Sequence, residues 1–455
     1  MIILLFSASF ILAVYSYKRM TLKLLSPTFW ASLMFTVYSA IYIFTFKTML
    51  SDISIITVLV VVSFLMTTLL GEKIATYKNH RSKLGLCIDD KQLKPIKISK
   101  IAIILLTVMF TVVSIERFIN LVNFTISHGY SGSMNIFDLL AAARIAYVDA
   151  NAQIVLGNVV FNQLVYVSEI TTYICIFVFM HNYMICKVKH YYLLLPLIPD
   201  FALRLITTSR SAFITLIFAV IVIYILIRQI QKKNPLRLSW QMLLLLAVFV
   251  ILFVWYGFRR NSVSNISLIT YLQMYTCSSL YNFDWFLRNG LGDNPYFGFY
   301  TLQEIFKLFR IDHDVVPSWL PFVVFGTDGA RSNIFTSLLD VTQDFGVIGM
   351  LLIRFIEAFI AGKIVNYFSE YRINKRMFYV SIYFVVSIMQ CYLWSATGDS
   401  FPGVYASPDL MLRYLIYGYI LVVISVKPYR GKNASLCVRQ NYYNGCKNKG
   451  RTVAK

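Results

Sequence analysis

The chain alternates between long apolar segments and short polar segments that carry most of its lysine and arginine. A helix that crosses a bilayer needs about 20 mostly apolar residues, and about eleven segments fit that pattern. A β-barrel would show short segments of alternating polar and apolar residues instead. The pattern therefore predicts an all-α polytopic integral membrane protein with helices near 1–17, 28–46, 53–70, 101–121, 161–180, 191–206, 211–228, 239–256, 334–362, 377–396 and 409–426.

Composition supports this fold class. Of the 455 residues, 58% are hydrophobic and 14% are charged, and the mean hydropathy is +0.66. Soluble domains contain roughly 45–50% apolar and 25% charged residues, which excludes a water-soluble enzyme. The first apolar segment, Met1–Tyr17, lacks a preceding basic region and a small-residue cleavage site, so we expect a retained helix.

The net charge of +21 can be interpreted from the distribution of the basic residues between the predicted inner and outer segments. With the N-terminus outside, 29 of the 42 Lys and Arg residues fall in inner segments and 10 in outer segments. Cytoplasmic loops carry such an excess of positive charge, so the sequence predicts an outer N-terminus and an inner C-terminus. The charge therefore does not indicate nucleic-acid binding.

Two predicted outer loops are long. One covers 122–160, and the other covers 257–333, which is too long for a plain connector and has as many acidic as basic residues. Within it, Ser267–Arg288 is expected to form a helix lying at the membrane interface. The basic segment 427–455 is expected to be a cytoplasmic tail near anionic lipid headgroups.

Several outer arginines are candidates for binding a phosphate or diphosphate group on a lipid. Arg210 lies in a polar break between two spans, Arg259 and Arg260 follow the eighth span, and Arg331 precedes the ninth. The planar guanidinium group matches phosphate oxygens with two parallel donors. The alternatives are arginines that only anchor helices at the interface, and, for Arg331, neutralisation by Asp328.

Three carboxylates are candidates for a catalytic base. Asp340 and Asp344 lie four residues apart at the start of the ninth span, hence on one helix face. Glu169 lies in the fifth span without a partner nearby in the sequence, so it is a candidate base or counter-ion of an arginine. Salt bridges to outer arginines are the structural alternative for the two aspartates.

Other charges within spans have partners at helical spacing and are interpreted as structural: Asp200 with Arg204, Arg354 with Glu357, and Asp409 with Arg413. The seven cysteines form no CxxC motif, and no P-loop or HExxH motif occurs. The sequence thus predicts no disulfide framework, no metal site, no cofactor and no ATPase of its own.

Ser209-Arg210-Ser211 opens a predicted helix, and Asn333 leads to Asp344-Phe-Gly346-Val-Ile-Gly349 after the large loop. In these motifs and in its many helices the chain resembles the Wzy-type oligosaccharide repeat unit polymerases, which are related to O-antigen ligases. The resemblance covers mostly residues 200–350. Ligases place a histidine between the large loop and the GxxG motif, whereas this chain has Ser332-Asn333 there.

The resemblance implies a C-type membrane glycosyltransferase of a bacterial inner membrane that joins undecaprenyl-diphosphate-linked oligosaccharides at the periplasmic face, for O-antigen or capsule. The arginines would stabilise the leaving diphosphate, a carboxylate would act as base, and no metal would be needed. Membrane lipids and a chain-length regulator protein would be partners. The alternatives are an O-antigen ligase and a flippase for the same lipid, although a flippase should show a repeat between halves and short loops.

Overall fold

The fold is described from a computed structural model of the chain. The structure describes residues 1–20, 22–77, 95–129, 139–140, 142–143, 159–206, 211–231, 268–292, 297–302, 306, 320–370, 373, 375–397 and 408–428. Over these residues the structure is mainly helical. The α-helices are α1 Ile2–Arg19, α2 Pro27–Phe44, α3 Ile55–Thr76, α4 Lys100–Ser127, α5 Val159–Met184, α6 Leu197–Ile206, α7 Ser211–Ile230, α8 Leu268–Tyr275, α9 Ser278–Asn289, α10 Leu339–Ser369, α11 Arg376–Leu393 and α12 Pro408–Ser425.

Seven of these helices are long and apolar enough to cross a membrane: α1 to α5, α10 and α11. α7 and α12 contain shorter apolar segments, Thr215–Gln229 and Leu412–Ser425. The multi-pass membrane architecture is thus confirmed, while the number eleven stays a prediction. The predicted span 239–256 lies outside the described residues.

The predicted span 191–206 is wrong in its extent. Tyr191–Leu194 forms a 3-10 turn, and α6 has only ten residues, which rise about 15 Å and are too few to cross a bilayer. Pro196 and Pro199 lack the amide hydrogen that a continuing helix would use. Their carbonyl groups accept hydrogen bonds from Thr172 (3.5 Å) and Ser114 (3.2 Å) of neighbouring helices.

The predicted span 334–362 is also corrected. The helix begins at Leu339, ends at Ser369 and is kinked at Gly346, where φ is 67° and ψ is 176°. A left-handed φ favours glycine because a Cβ atom would clash with the backbone. Asp340 and Asp344 therefore lie in a short segment before the kink and not in the first turns of a straight spanning helix.

α3 and α10 run parallel and approach each other closely at two glycines. A Cβ atom on Gly71 would lie 2.6 Å from the backbone oxygen of Phe355, and one on Gly362 would lie 2.8 Å from the Cβ of Ala75. Small residues allow helix backbones in membranes to pack this closely. The contact fixes the part of α10 that follows the kink at Gly346.

The two ends of the bundle are distinct. One end, called here the N-terminal face, carries Met1, the α2–α3 connection 45–54 and residues 323–332. Met1 pairs through its amino group with Asp52, and the Leu50 amide donates to the carbonyl of Phe325 over 3.0 Å. At the opposite face the β1 strand Ile96–Ile98 pairs in antiparallel register with the β4 strand Val426–Pro428.

The described part of the large loop is folded onto the N-terminal face. The expected interfacial helix over Ser267–Arg288 is instead two helices, α8 and α9, and α9 is buried on one side. Asp284 of α9 caps α3, because it accepts the Ser54 amide at 2.7 Å and the Thr57 hydroxyl at 2.6 Å. A hairpin follows, in which the β2 strand Val323–Val324 pairs with the β3 strand Arg331–Ser332.

Candidate functional site

A charged cluster lies between α5 and α6. Arg204 donates from Nε to Asp200 Oδ2 at 2.9 Å and approaches Glu169 Oε1 with Nη2 at 3.4 Å. The side chains of Arg204 and Asp200 are 8% and 4% exposed, whereas that of Glu169 is 23% exposed. The ion pair Asp200–Arg204 expected from the sequence is thus confirmed, and Glu169 joins it from another helix.

Two tyrosines complete the surroundings of Glu169. Tyr173 donates to Oε1 over 3.1 Å, and Tyr414 of α12 donates to Oε2 over 3.0 Å. Tyr414 stacks on Tyr383 of α11 with ring centroids 3.9 Å apart. Both carboxylate oxygens of Glu169 therefore accept phenol hydrogens while Oε1 also faces the Arg204 guanidinium.

Polar groups continue from Glu169 towards the N-terminal face. Tyr417 donates to the side-chain oxygen of Gln163 over 2.8 Å, and the ring of Tyr166 meets Tyr414 edge-on at 5.4 Å between centroids. Next to them, Arg117 of α4 donates to Asn162. α5 begins at Val159, so Glu169 lies about 15 Å below its first residue at 1.5 Å per residue.

Asp344 holds a segment of the large loop. Its carboxylate accepts the amide of Tyr300 at 3.1 Å and the amide of Thr301 at 2.6 Å. Gln343, one residue earlier, donates to the carbonyl of Gly292 over 2.8 Å. Asp344 thus binds backbone donors directly, which is a positioning contact, and its predicted role as a base stays a prediction.

Asp340 and Asp344 both face Tyr300. Burial, together with the negative charges of Asp340 and Asp344, raises the pKa of the Tyr300 phenol. The phenol therefore stays protonated and able to donate a hydrogen bond at neutral pH. The two aspartates predicted to share a face are brought to one loop residue, whereas Glu169 belongs to the separate cluster on α5.

Arg331 lies exposed on β3, opposite Val324. Among the described residues it forms no ion pair with Asp328. Asp328 instead accepts the amide of Ala330 at 3.1 Å and the hydroxyl of Thr270 at 3.3 Å. Asp328 thus makes no direct ion pair with Arg331 within the described ranges, and its neutralisation of Arg331 by proximity stays a prediction.

The other predicted phosphate-binding residues, Arg210, Arg259 and Arg260, lie outside the described residues, as does the side chain of Asp409. The predicted pair Arg354–Glu357 is confirmed with an N–O distance of 2.7 Å. Arg354 also donates to the carbonyl of Ser337. It is fully buried and ties the kinked start of α10 to the body of the helix.

The tyrosines around Glu169 were not predicted from the sequence. Tyr166 and Tyr173 lie three residues before and four after Glu169, which is the spacing of one helix face, so this signal was present in the sequence. Tyr383 and Tyr414 come from distant helices, and no local spacing connects them to Glu169. Arg204 reaches Glu169 in the same non-local way.

Within the described ranges, no three His, Cys, Asp or Glu side chains are grouped so that they could hold a metal ion. The cluster has a different composition, with one arginine, two carboxylates and several phenols. No family model, curated protein or solved structure matches this chain.

Proposed function

We propose that the chain is a membrane glycosyltransferase that polymerises undecaprenyl-diphosphate-linked oligosaccharide repeat units. The observation that supports this proposal best is the cluster of Glu169, Asp200 and Arg204 between apolar helices. Ionisable side chains at such a depth are costly and usually serve a substrate or an ion path. A substrate with a lipid tail and a polar head needs a polar site of this kind below the membrane surface.

In the proposed reaction the acceptor hydroxyl of one repeat attacks the reducing-end sugar carbon of the growing chain, and undecaprenyl diphosphate leaves. A carboxylate accepts the hydroxyl proton. Cationic donors stabilise the charge that develops on the diphosphate. The candidates for the base are Glu169, Asp340 and Asp344, and those for the diphosphate are Arg210, Arg259, Arg260 and Arg331.

The folded part of the large loop is consistent with this proposal. α8, α9 and the β2–β3 hairpin cover the N-terminal face, which the charge distribution predicts to be the outer face. Substrate linked to undecaprenyl diphosphate would meet this face at the outside of a bacterial inner membrane. A chain-length regulator protein would be a further partner at the same face.

A flippase for the same lipid-linked oligosaccharide is the second candidate. The cluster has two carboxyl groups, Asp200 and Glu169, against one arginine, Arg204, and a carboxyl group in a membrane domain can carry a coupling proton. An O-antigen ligase is the third candidate, although the expected histidine is absent from Ser332-Asn333.

Deletion of the gene, followed by electrophoresis of the surface polysaccharide, separates the three candidates. A polymerase deletion leaves surface glycans with a single repeat. A ligase deletion leaves unmodified lipid core while polymer remains on its carrier, and a flippase deletion abolishes export. Purified protein that lengthens lipid-linked repeats in detergent would establish polymerase activity directly.

A further inference from the structure

The β1 strand is fixed along both edges at the face opposite the N-terminal face. The β4 strand pairs with one edge, and side chains of α5 and of the turn that follows it hold the other. Asn182 accepts the amide hydrogen of Ile96 over 2.8 Å and donates to the carbonyl of the same residue over 2.6 Å. The Tyr192 hydroxyl donates to the carbonyl of Ile98 over 2.8 Å. The backbone on each side of Lys97 is therefore held in place.

Three basic side chains lie around this strand. Lys97 is exposed between two buried residues of β1, because alternate residues of a strand point to opposite sides. Lys100 is exposed in the first turn of α4, and its ammonium group lies 5.6 Å from the centre of the Tyr192 ring. The centre of the His190 ring also lies 5.6 Å from that of Tyr192. We call Lys97, Lys100 and His190 the β1 basic patch.

His190 contributes a neutral hydrogen-bond donor. Because the Asn182 side-chain oxygen accepts the Ile96 amide, the Asn182 nitrogen faces His190 Nδ1 at 3.2 Å and donates to it. The proton of the neutral ring therefore lies on Nε2. Partial burial, together with the positive charges of Lys100 and Lys97, lowers the pKa of His190, so the ring is neutral at pH 7.

The charge around the patch favours an anion. No Asp or Glu occurs in the three segments that contain β1, His190 and β4, namely residues 91–115, 182–199 and 410–455. The acids that precede β1 in the sequence, Asp89 and Asp90, lie outside the described residues. The register places Lys427 opposite Lys97, and two like charges at one cross-strand position destabilise a strand pair. A bound anion offsets this repulsion.

The surface beside the patch is suited to a lipid. In the first turns of α4, directly after the patch, Ile101, Ile104 and Leu105 are exposed, and an exposed apolar surface on a helix long enough to span a bilayer faces acyl chains. Tyr183 and Tyr191, near His190, are exposed as well. Tyrosines are enriched at the level of the lipid headgroups. The patch therefore lies where charged headgroups meet acyl chains.

We infer that the β1 basic patch binds the phosphate of an anionic phospholipid in the leaflet at this face, with the acyl chains along the start of α4. The ammonium groups of Lys97 and Lys100 attract the phosphate, and Nε2 of His190 donates to a headgroup oxygen. A soluble phosphate would match the cations but would leave the apolar surface of α4 unused. This inference depends on the membrane architecture and not on the proposed function.

Native mass spectrometry of the full-length protein in detergent tests the inference by measuring the binding of the first added lipid. The probes are dioleoylphosphatidylglycerol, which is anionic, and dioleoylphosphatidylcholine, which has the same acyl chains and no net charge. Lys97→Gln and Lys100→Gln each remove one charge, and Lys97→Arg keeps it. Lys73→Gln is the matched control, because Lys73 is exposed near the same face on α3, which packs against α1, α2 and α10.

We expect the wild type to bind the anionic lipid more tightly than the uncharged one. Each glutamine variant in the patch should weaken binding of the anionic lipid by roughly fivefold, the usual contribution of one basic residue near an anionic membrane. Lys97→Arg and Lys73→Gln should bind it as the wild type does, and all variants should bind the uncharged lipid equally.

Two results would overturn the lipid site: a wild type without preference for the anionic lipid, or a Lys73→Gln variant that binds it as weakly as Lys97→Gln. Glycerol 1-phosphate provides a third arm, because it has the phosphate without acyl chains. It should not compete at the concentration of the lipid. Equal competition would show that the patch takes a soluble phosphate and would likewise overturn the lipid site.

Discussion

The carboxylate of Glu169 on α5 lies 3.4 Å from the guanidinium of Arg204 on α6, across 35 residues of sequence. Asp200 holds the same guanidinium from within α6 at 2.9 Å. One arginine thus joins two carboxylates in a part of the molecule where apolar helices surround it. The arrangement makes Arg204 the structural centre of the cluster, and Glu169 is the more exposed of the two acids.

Replacing Arg204 with methionine should destabilise the protein strongly. It leaves Asp200 and Glu169 without their cation in a buried site, and breaking such a group usually costs about 3–5 kcal/mol. We expect a large drop in thermal stability in detergent and in protein abundance. Wild-type stability of the Arg204→Met variant would show that the ion pairs contribute little.

Glu169→Gln is the matched variant in the same cluster. The amide oxygen can still accept hydrogen bonds from Tyr173 and Arg204 at the position of Oε1, and the amide nitrogen can donate to the Tyr414 hydroxyl at the position of Oε2, so the protein should remain folded and abundant. If Glu169 is the base, polymerisation in vitro should fall by at least about 100-fold, because the amide cannot take a proton. Polymerisation close to the wild-type rate removes Glu169 from the list of bases.

Asp340→Asn and Asp344→Asn should behave differently from each other. Asp344 accepts the amides of Tyr300 and Thr301, and an asparagine would direct its own donors at one of them. We expect Asp344→Asn to lose about 1–3 kcal/mol of stability along with activity. Asp340→Asn keeps the size of the side chain but removes its basicity, so a loss of polymerisation at wild-type stability in this variant alone would identify Asp340 as the base. Thermal unfolding and in vitro polymerisation of both purified variants give the comparison.

Arg331→Lys tests whether charge alone is sufficient at the N-terminal face. Arg331 is exposed on β3, so the substitution should leave the fold intact. If the guanidinium binds a diphosphate with two parallel donors, lysine cannot reproduce that geometry and polymer length should fall. Arg376→Lys, at the exposed start of α11 on the opposite face, is the control and should have no effect. Normal polymer length in the Arg331→Lys variant at normal protein levels would indicate that Arg331 only anchors this part of the chain at the membrane interface.

Cysteine labelling tests the predicted orientation. After replacement of the native cysteines by serine, a cysteine at Thr327 in the exposed hairpin turn should react with an impermeant maleimide in intact cells. A cysteine at Tyr77, which is 76% exposed at the other end of α3, should react only after the membrane is opened. The reverse labelling pattern contradicts the functional proposal, because the lipid-linked substrate is presented outside.

Gly71→Ala should destabilise the contact between α3 and α10. The new Cβ atom would lie 2.6 Å from the Phe355 carbonyl oxygen, and backbone cannot move away as a side-chain end can. We expect a loss of about 1–3 kcal/mol, the range usual for overpacking. Gly418→Ala is the control, since its Cβ atom would meet Val380 at 3.5 Å and Ile170 at 3.6 Å, both ordinary contact distances, and alanine favours a helix by up to about 1 kcal/mol. Equal stability of the two variants would show that the close approach is not required.

The sequence by itself determined the features that depend on composition and on local spacing. Long apolar segments predicted helices at the positions of α1 to α5, α10 and α11, because a bilayer requires length and apolarity of any helix that crosses it. Spacings of three and four residues predicted the ion pairs Asp200–Arg204 and Arg354–Glu357, because such neighbours lie on one helix face.

Tertiary structure alone decided which distant side chains meet. Tyr414 and Arg204 reach Glu169 only because α12 and α6 pack beside α5, and Asp344 finds its partners on a loop more than 40 residues earlier. The kink at Gly346 could not be predicted from the sequence either, since glycine is compatible with both a helix and a left-handed turn. Hydropathy reports whether a residue prefers lipid or water, whereas a polar site among apolar helices depends on which helix faces pack together, and that is a property of the whole fold.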